Sequence, residues 1–157
     1  MAAITMKGSD AVSASLAECF ITIGDNRYNF MQMINFEASI TKNKTTVPIL
    51  GQTGRGNKAN GWKGVFRGKA HYNQSLFRSL LMEYKETGED VYFDILVTNN
   101  DPASAAGKQT VIFTGCNIDG GILAAFDAEG DYLAEEITGT FEDFKLPEKF
   151  KVLNGMK

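Results

Sequence analysis

The chain has 157 residues, 43% of them hydrophobic and 11% aromatic, a length and composition that suit one core burying about two thirds of its unfolded surface. A net charge of −3 argues against a dedicated nucleic-acid binder, and no apolar run approaches the roughly 20 residues of a membrane span. No basic-then-apolar leader opens the sequence, so neither export by a signal peptide nor a membrane anchor is expected.

Residues 1–18 are mostly small and polar, with Ile4, Met6, Val12 and Leu16 as their apolar side chains, and read as an N-terminal arm that needs a neighbour to hold it. Residues 19–157 read as a single β domain. Cys19 to Ile23, a turn at Gly24, Asp25 and Asn26, and a strand from Tyr28 onward predict a hairpin, because the turn residues tolerate left-handed angles. Its second strand runs long, with Ile34, Phe36, Ala38 and Ile40 on one face and Glu37, Ser39, Thr41 and Asn43 on the other. Thr45 to Leu50 stays β-prone, although Pro48 lacks a ladder donor and implies an edge or a bulge.

Gly51 to Gly61 reads as a glycine-rich, basic loop. Strict alternation follows: Trp62, Gly64, Phe66, Gly68, Ala70 and Tyr72 share one face, while Lys63, Val65, Arg67, Lys69 and His71 share a basic face turned to water or to a partner. Asn73 is placed to cap a helix over about residues 74–87, which Gly88 closes. Leu76, Phe77, Leu80, Leu81 and Tyr84 recur at helical spacing and give that helix one apolar stripe. Val91 to Thr98, Gln109 to Asp119 and Asp131 to Phe144 read as further strands, with Ile122 to Phe126 as a short addition. The fold class expected is mainly β: a β-sandwich or partly closed barrel with one flanking α-helix and a long β-hairpin arm.

Residue patterns that carry chemistry fail on context. Cys19 and Cys116 are isolated thiols, neither a disulfide framework nor a metal-ligand spacing, and read as packing residues in a reducing compartment. His71, the sole histidine, has no nucleophile or second ligand near it in sequence. In the acidic pairs Glu89 and Asp90, Glu135 and Glu136, and Glu142 and Asp143, neighbours along a strand point to opposite faces and do not converge on one substrate. Gly54, Gly56 and Ala59 match a loose dinucleotide fingerprint, but a strand follows where that motif needs a helix N-terminus. A phosphate-cradling loop fails because Trp62 stands where lysine is required. A single-strand nucleic-acid platform fails too, since Trp62, Phe66 and Tyr72 face away from Lys63, Arg67 and Lys69. No catalytic residue, cofactor or metal site is expected, and the chain does not read as an enzyme.

Charge is segregated along the chain. Between Ala38 and Met82 stand Lys42, Lys44, Arg55, Lys58, Lys63, Arg67, Lys69 and Arg78 without one acid, whereas Glu83 to Glu148 holds fifteen acids against Lys85, Lys108 and Lys145. A basic hairpin arm and an acidic complement on one subunit favour head-to-tail contacts, which close into rings or stack into filaments. The expected activity is therefore self-assembly.

Three stretches carry a resemblance. Phe36 to Thr45 (Phe-Glu-Ala-Ser-Ile-Thr-Lys-Asn-Lys-Thr), the loop from Gly51 to Gly61, and Gly139 to Glu148 (Gly-Thr-Phe-Glu-Asp-Phe-Lys-Leu-Pro-Glu) resemble the tail tube proteins of contractile-tailed phages, defective prophages and phage-tail-like bacteriocins of Gram-positive bacteria. It runs in order over roughly residues 19–150 and is most specific in the Phe-Glu-Asp-Phe ending with its following Leu-Pro-Glu. The resemblance implies a tail-tube fold, six subunits to a ring, and rings stacked into a hollow conduit through the target envelope. Its partners would be other copies of the chain, a sheath protein, a baseplate initiator, a tail terminator, a tape measure protein in the lumen, and DNA in transit where the particle carries a genome. The implied location is a virion tail or tail-like particle assembled in the bacterial host cytoplasm. Carried onto this sequence, Gly51, Gly54, Arg55, Lys58, Asn60 and Trp62 become ring-stacking candidates, and Lys42, Lys44, Glu135, Glu136 and Glu142 become interface or lumen candidates. A stacked-ring secretion tube and a ligand-binding β-barrel are the alternative readings.

Overall fold

A computed structural model of the chain describes residues 3–157. In chain order its elements are a 3₁₀ turn (Gly8–Asp10), β1 (Ala17–Ile23), β2 (Asn26–Asn29), β3 (Met33–Val47), β4 (Gly56–His71), α1 (Leu76–Thr87), β5 (Phe93–Asn100), β6 (Lys108–Ile118), β7 (Ala134–Phe141) and β8 (Asp143–Glu148). The fold is mainly β with one helix, as the alternation and the single apolar helical stripe demand. The chain divides into two compact units, each assembled from separated segments.

The first unit takes the chain up to Met31, Tyr92–Thr114 and Asp143–Lys157. β1 pairs antiparallel with β2 on one side and β5 on the other, and the start of β6 pairs with β8. Ile21, Phe30, Phe93, Ile95, Ala106 and Phe113 are the buried apolar side chains among its described residues. Three strands are tied by hydroxyls: Thr98 Oγ1 lies 3.1 Å from Thr110 Oγ1, which donates to Glu148 Oε1 at 3.1 Å. The arm is held by the turn after β5. Ser13 N–H donates to buried Asp101 Oδ2 at 2.9 Å, and Ser104 Oγ donates to the Asp10 carbonyl at 2.7 Å.

The second unit takes Gln32–Val91 and Gly115–Glu142. Its strands run antiparallel in the order β3, β4, β7 and the end of β6. Along β4 the expected face is buried at Gly64, Phe66, Gly68 and Ala70, with Lys63, Val65, Arg67, Lys69 and His71 exposed. Phe77, Cys116, Ile118, Ile137 and Phe141 complete that core. Gly64 lies under the ring of Phe141 and Gly139 under that of Phe66, where any larger side chain would collide.

Five details differ from the sequence reading, the first that Asp131 to Phe144 is not one strand but β7 and β8, broken at Glu142. The long strand from Tyr28 is two strands, because the chain turns at Met31 and Gln32, just after Phe30, whose N–H still donates to the Cys19 carbonyl at 2.8 Å while its ring is buried. Residues Gly56–Gly61 are strand, not loop. The helix starts later, with Ser75 as the cap position, and Gly88 closes it by donating to the Tyr84 carbonyl at 2.8 Å. Ile122 to Phe126 forms no strand and has no ladder partner among the described residues.

Candidate assembly interface

β4 pairs with β7 only from Gly64 to His71, whereas β3 accompanies β4 as far as Gly56. Gly56–Lys63 and the facing part of β3 therefore project as a two-stranded ribbon, reaching about 26 Å past β7 at roughly 3.3 Å per residue. Two strands alone are marginal in water, and this pair buries little: every residue from Ser39 to Arg55 is exposed.

A bulge organises the ribbon's charge. Between Lys42 and Lys44 the register shifts, so that Asn43 of β3 faces Asn60 and Gly61 of β4, with Gly61 at φ +140. The extra residue turns β4 over and brings Lys58 to the face that carries Lys63, Arg67 and Lys69, leaving Lys42 and Lys44 on the other face with Trp62. Asn60 Nδ2 donates to Thr45 Oγ1 at 2.9 Å across the bulge. Trp62 is half-exposed, its ring centroid 6.1 Å from that of Phe141.

At the tip, Gln52 N–H donates to the Ile49 carbonyl at 3.2 Å, and Gly51 adopts φ +84 at the third position of that turn, where a positive angle is required. Ile49 folds back over Gly56, while Leu50 at the corner is fully exposed. Gly54 and Arg55 finish the tip, both exposed. Leu50 lies inside a stretch whose sequence shows only that it is β-prone. Its exposure becomes visible once the turn is placed.

The acidic candidates separate. Glu135 is buried on the helix side of β7, where Arg78 Nη1 meets its Oε2 at 2.5 Å and the guanidinium lies 4.3 Å from the ring centroid of Tyr72. Arg78 also donates to the Gln74 carbonyl, so this cluster fastens α1 to the sheet. Glu136, one residue on, is exposed and stands opposite Lys69 in the ladder. Glu142 is exposed and lies across Gly115. Between them the outward face bears Glu37 and Arg67, 3.4 Å apart, and a groove of about 510 Å³ lined by Asn35, Glu37, Arg67, Lys69, Glu136 and Thr138. An exposed pair like this contributes little stability. The face is polar and mixed in sign.

Burial pushes the half-buried Cys19 thiol up to about 11, which suppresses thiolate, and Cys116 is wholly buried. His71 is exposed beside Tyr132, ring centroids 5.3 Å apart. Among the described residues no three His, Cys, Asp or Glu side chains converge as metal ligands would.

Comparison with known proteins adds an independent line. Residues 4–148 match a family model described as "Phage tail tube protein". The chain is similar to the phage-like element PBSX protein XkdM of Bacillus subtilis (strain 168), 36% identical over 114 residues that cover 73% of this chain and 78% of the relative. Among solved structures, a chain of the anti-feeding prophage baseplate superposes with a TM-score of 0.67 at 11% identity, covering 91% of this chain and 97% of that one. A chain from the sheath/tube terminator of the extracellular contractile injection system PVC gives 0.62 at 12% identity, over 83% and 93%. At such identities the structural likeness is one of fold.

Proposed function

The chain belongs to the phage tail tube protein family, and from that premise we propose that it is the repeating subunit of the inner tube of a contractile tail or tail-like particle. Six copies make a ring, and rings stack into a hollow conduit. The subunit performs no bond chemistry. Residues 19–157 act as the tube domain and residues 1–18 as its arm.

One observation carries this reading: a ribbon projecting about 26 Å with a basic face and no core of its own. β3 ends the order of strands in its sheet, so its outer edge is open to a strand from an adjacent subunit. Gly51, Gly54, Arg55, Lys58, Asn60 and Trp62 belong to the stacking contact, with Lys42 and Lys44 flanking it. Glu136 and Glu142 are exposed for an interface or for the lumen lining, while Glu135 holds α1. The sheath grips the outside of the tube, a baseplate initiator starts it, a terminator caps it, and a tape measure protein or DNA occupies the lumen. Assembly takes place in the bacterial host cytoplasm.

Charge reversal tests the reading. The double variant Arg55→Glu, Lys58→Glu, expressed with its baseplate, should stay folded and form short tubes or none in negative-stain microscopy, while the wild-type chain forms long ones. Normal-length tubes from the double variant refute the stacking role. A wild-type chain that stays monomeric beside its baseplate refutes the whole reading.

A further inference from the structure

Two apolar knobs stand at opposite ends of the second unit. One is Leu50, 103% exposed at the corner of the ribbon turn, with half-exposed Ile49 beneath it. The other is the loop between β6 and β7, where Leu123 is 71% and Phe126 93% exposed. The Gly56 end of β4 carries the tip, and its His71 end pairs with Ala134 at the start of β7, the point to which the loop leads. Grouped exposed apolar side chains rimmed by polar residues mark contact surfaces.

Their rims are complementary. The tip carries Arg55 and Lys58 and no acid, whereas residues 119–133 carry Asp119, Asp127, Glu129 and Asp131 and no lysine or arginine. Both knobs are built. Gly51 holds the turn that thrusts Leu50 outward, and Asp127 Oδ1 accepts from Glu129 N–H at 3.1 Å to shape the loop just past Phe126. An apolar centre inside a polar rim is the usual anatomy of a protein interface.

The geometry points to a second copy of this chain as the occupant: Leu50 of one subunit packs against Leu123 and Phe126 of a subunit in the next ring, ringed by Arg55 and Lys58 against Asp127, Glu129 and Asp131. Because the two patches differ and lie at opposite ends, the contact is head-to-tail and repeats without closing on itself. This rests on the stacked-ring reading and names the surface that receives the ribbon. It also gives Ile122 to Phe126, strandless in the single chain, a task in the assembly.

Three variants of the full chain test it, grown on the particle's own baseplate. Leu50→Asp and Phe126→Asp should each slow tube elongation at least tenfold while the unfolding midpoint of the free subunit stays at the wild-type value, since both side chains are exposed. Leu50→Cys with Phe126→Cys, oxidised after assembly, should give a covalent ladder at integer multiples of the subunit mass. Wild-type elongation by both aspartate variants, or double-cysteine tubes without a ladder, overturns the pairing and leaves the stacked tube intact. Phe126→Asp tubes of normal growth that fail to recruit sheath overturn it too, by assigning the loop to that partner. Should the wild-type chain itself build no tube, the stacking reading fails and this contact with it.

Discussion

The thiol of Cys19 shows how one half-buried group ties the fold to pH. Desolvation raises it from 9.0 to about 11. Below about pH 9 the folded and unfolded chains both keep the proton, and the thiol contributes no pH dependence. Between about 9 and 11 the unfolded chain releases it while the folded chain holds it, so stability falls with rising pH by at most about 3 kcal/mol across that window. Urea midpoints from pH 8.5 to 11 should therefore drop more steeply for the wild-type chain than for Cys19→Ala, and equal slopes would contradict the assignment. Elsewhere at this scale, alternation did its work: Glu135 and Glu136 are adjacent, yet one is buried against Arg78 and the other is exposed beside Lys69.

The ribbon is the element whose behaviour should change most between the free subunit and the assembly. Its hydrogen bonds are exposed and its core is absent, so it sits at the low end of local stability. Backbone amides of Thr41 to Val47 and Lys58 to Lys63 should exchange within seconds in the free subunit, while those of β4 from Phe66 to Ala70 remain protected; in assembled tubes both sets should be slow. Equal protection of ribbon and β4 core in the free subunit would show the ribbon to be self-sufficient. Elements of this kind were legible to different degrees. From Trp62 to His71 β4 is legible because one buried and one wet face force a period of two, and the body of α1 because five apolar residues recur at helical spacing. Where Gly56 to Gly61 joins the strand was hidden, since glycine and asparagine look like a loop until β3 supplies their partners. The break after Phe30 was hidden too: it depends on a ring finding its core, which no local pattern announces. Of the candidate interface, charge segregation was visible in the sequence, but Leu50 and Phe126 were not, because exposure of an apolar side chain is a property of the folded turn around it.

At the scale of the whole molecule, the proposed pairing of opposite charges on the ribbon and on the loop before β7 makes assembly sensitive to ionic strength, while the apolar anchors do not share that sensitivity. Raising salt from about 0.05 M to about 0.5 M shortens the screening length from roughly 14 Å to roughly 4 Å, and should raise the subunit concentration needed for tube growth several-fold without abolishing it. Light scattering on seeded samples reads this directly, and a threshold independent of salt would remove the charged rim from the contact.

On the proposed stacking, the thinness of the ribbon also governs when tubes begin. A lone subunit must order two strands with nothing to rest them on, whereas a subunit arriving at an existing end finds a template that repays the ordering at once. Starting is thus slow and extending is fast, so a concentrated pool can wait without stray fibres, and the number of tubes follows the number of seeds rather than the abundance of protein.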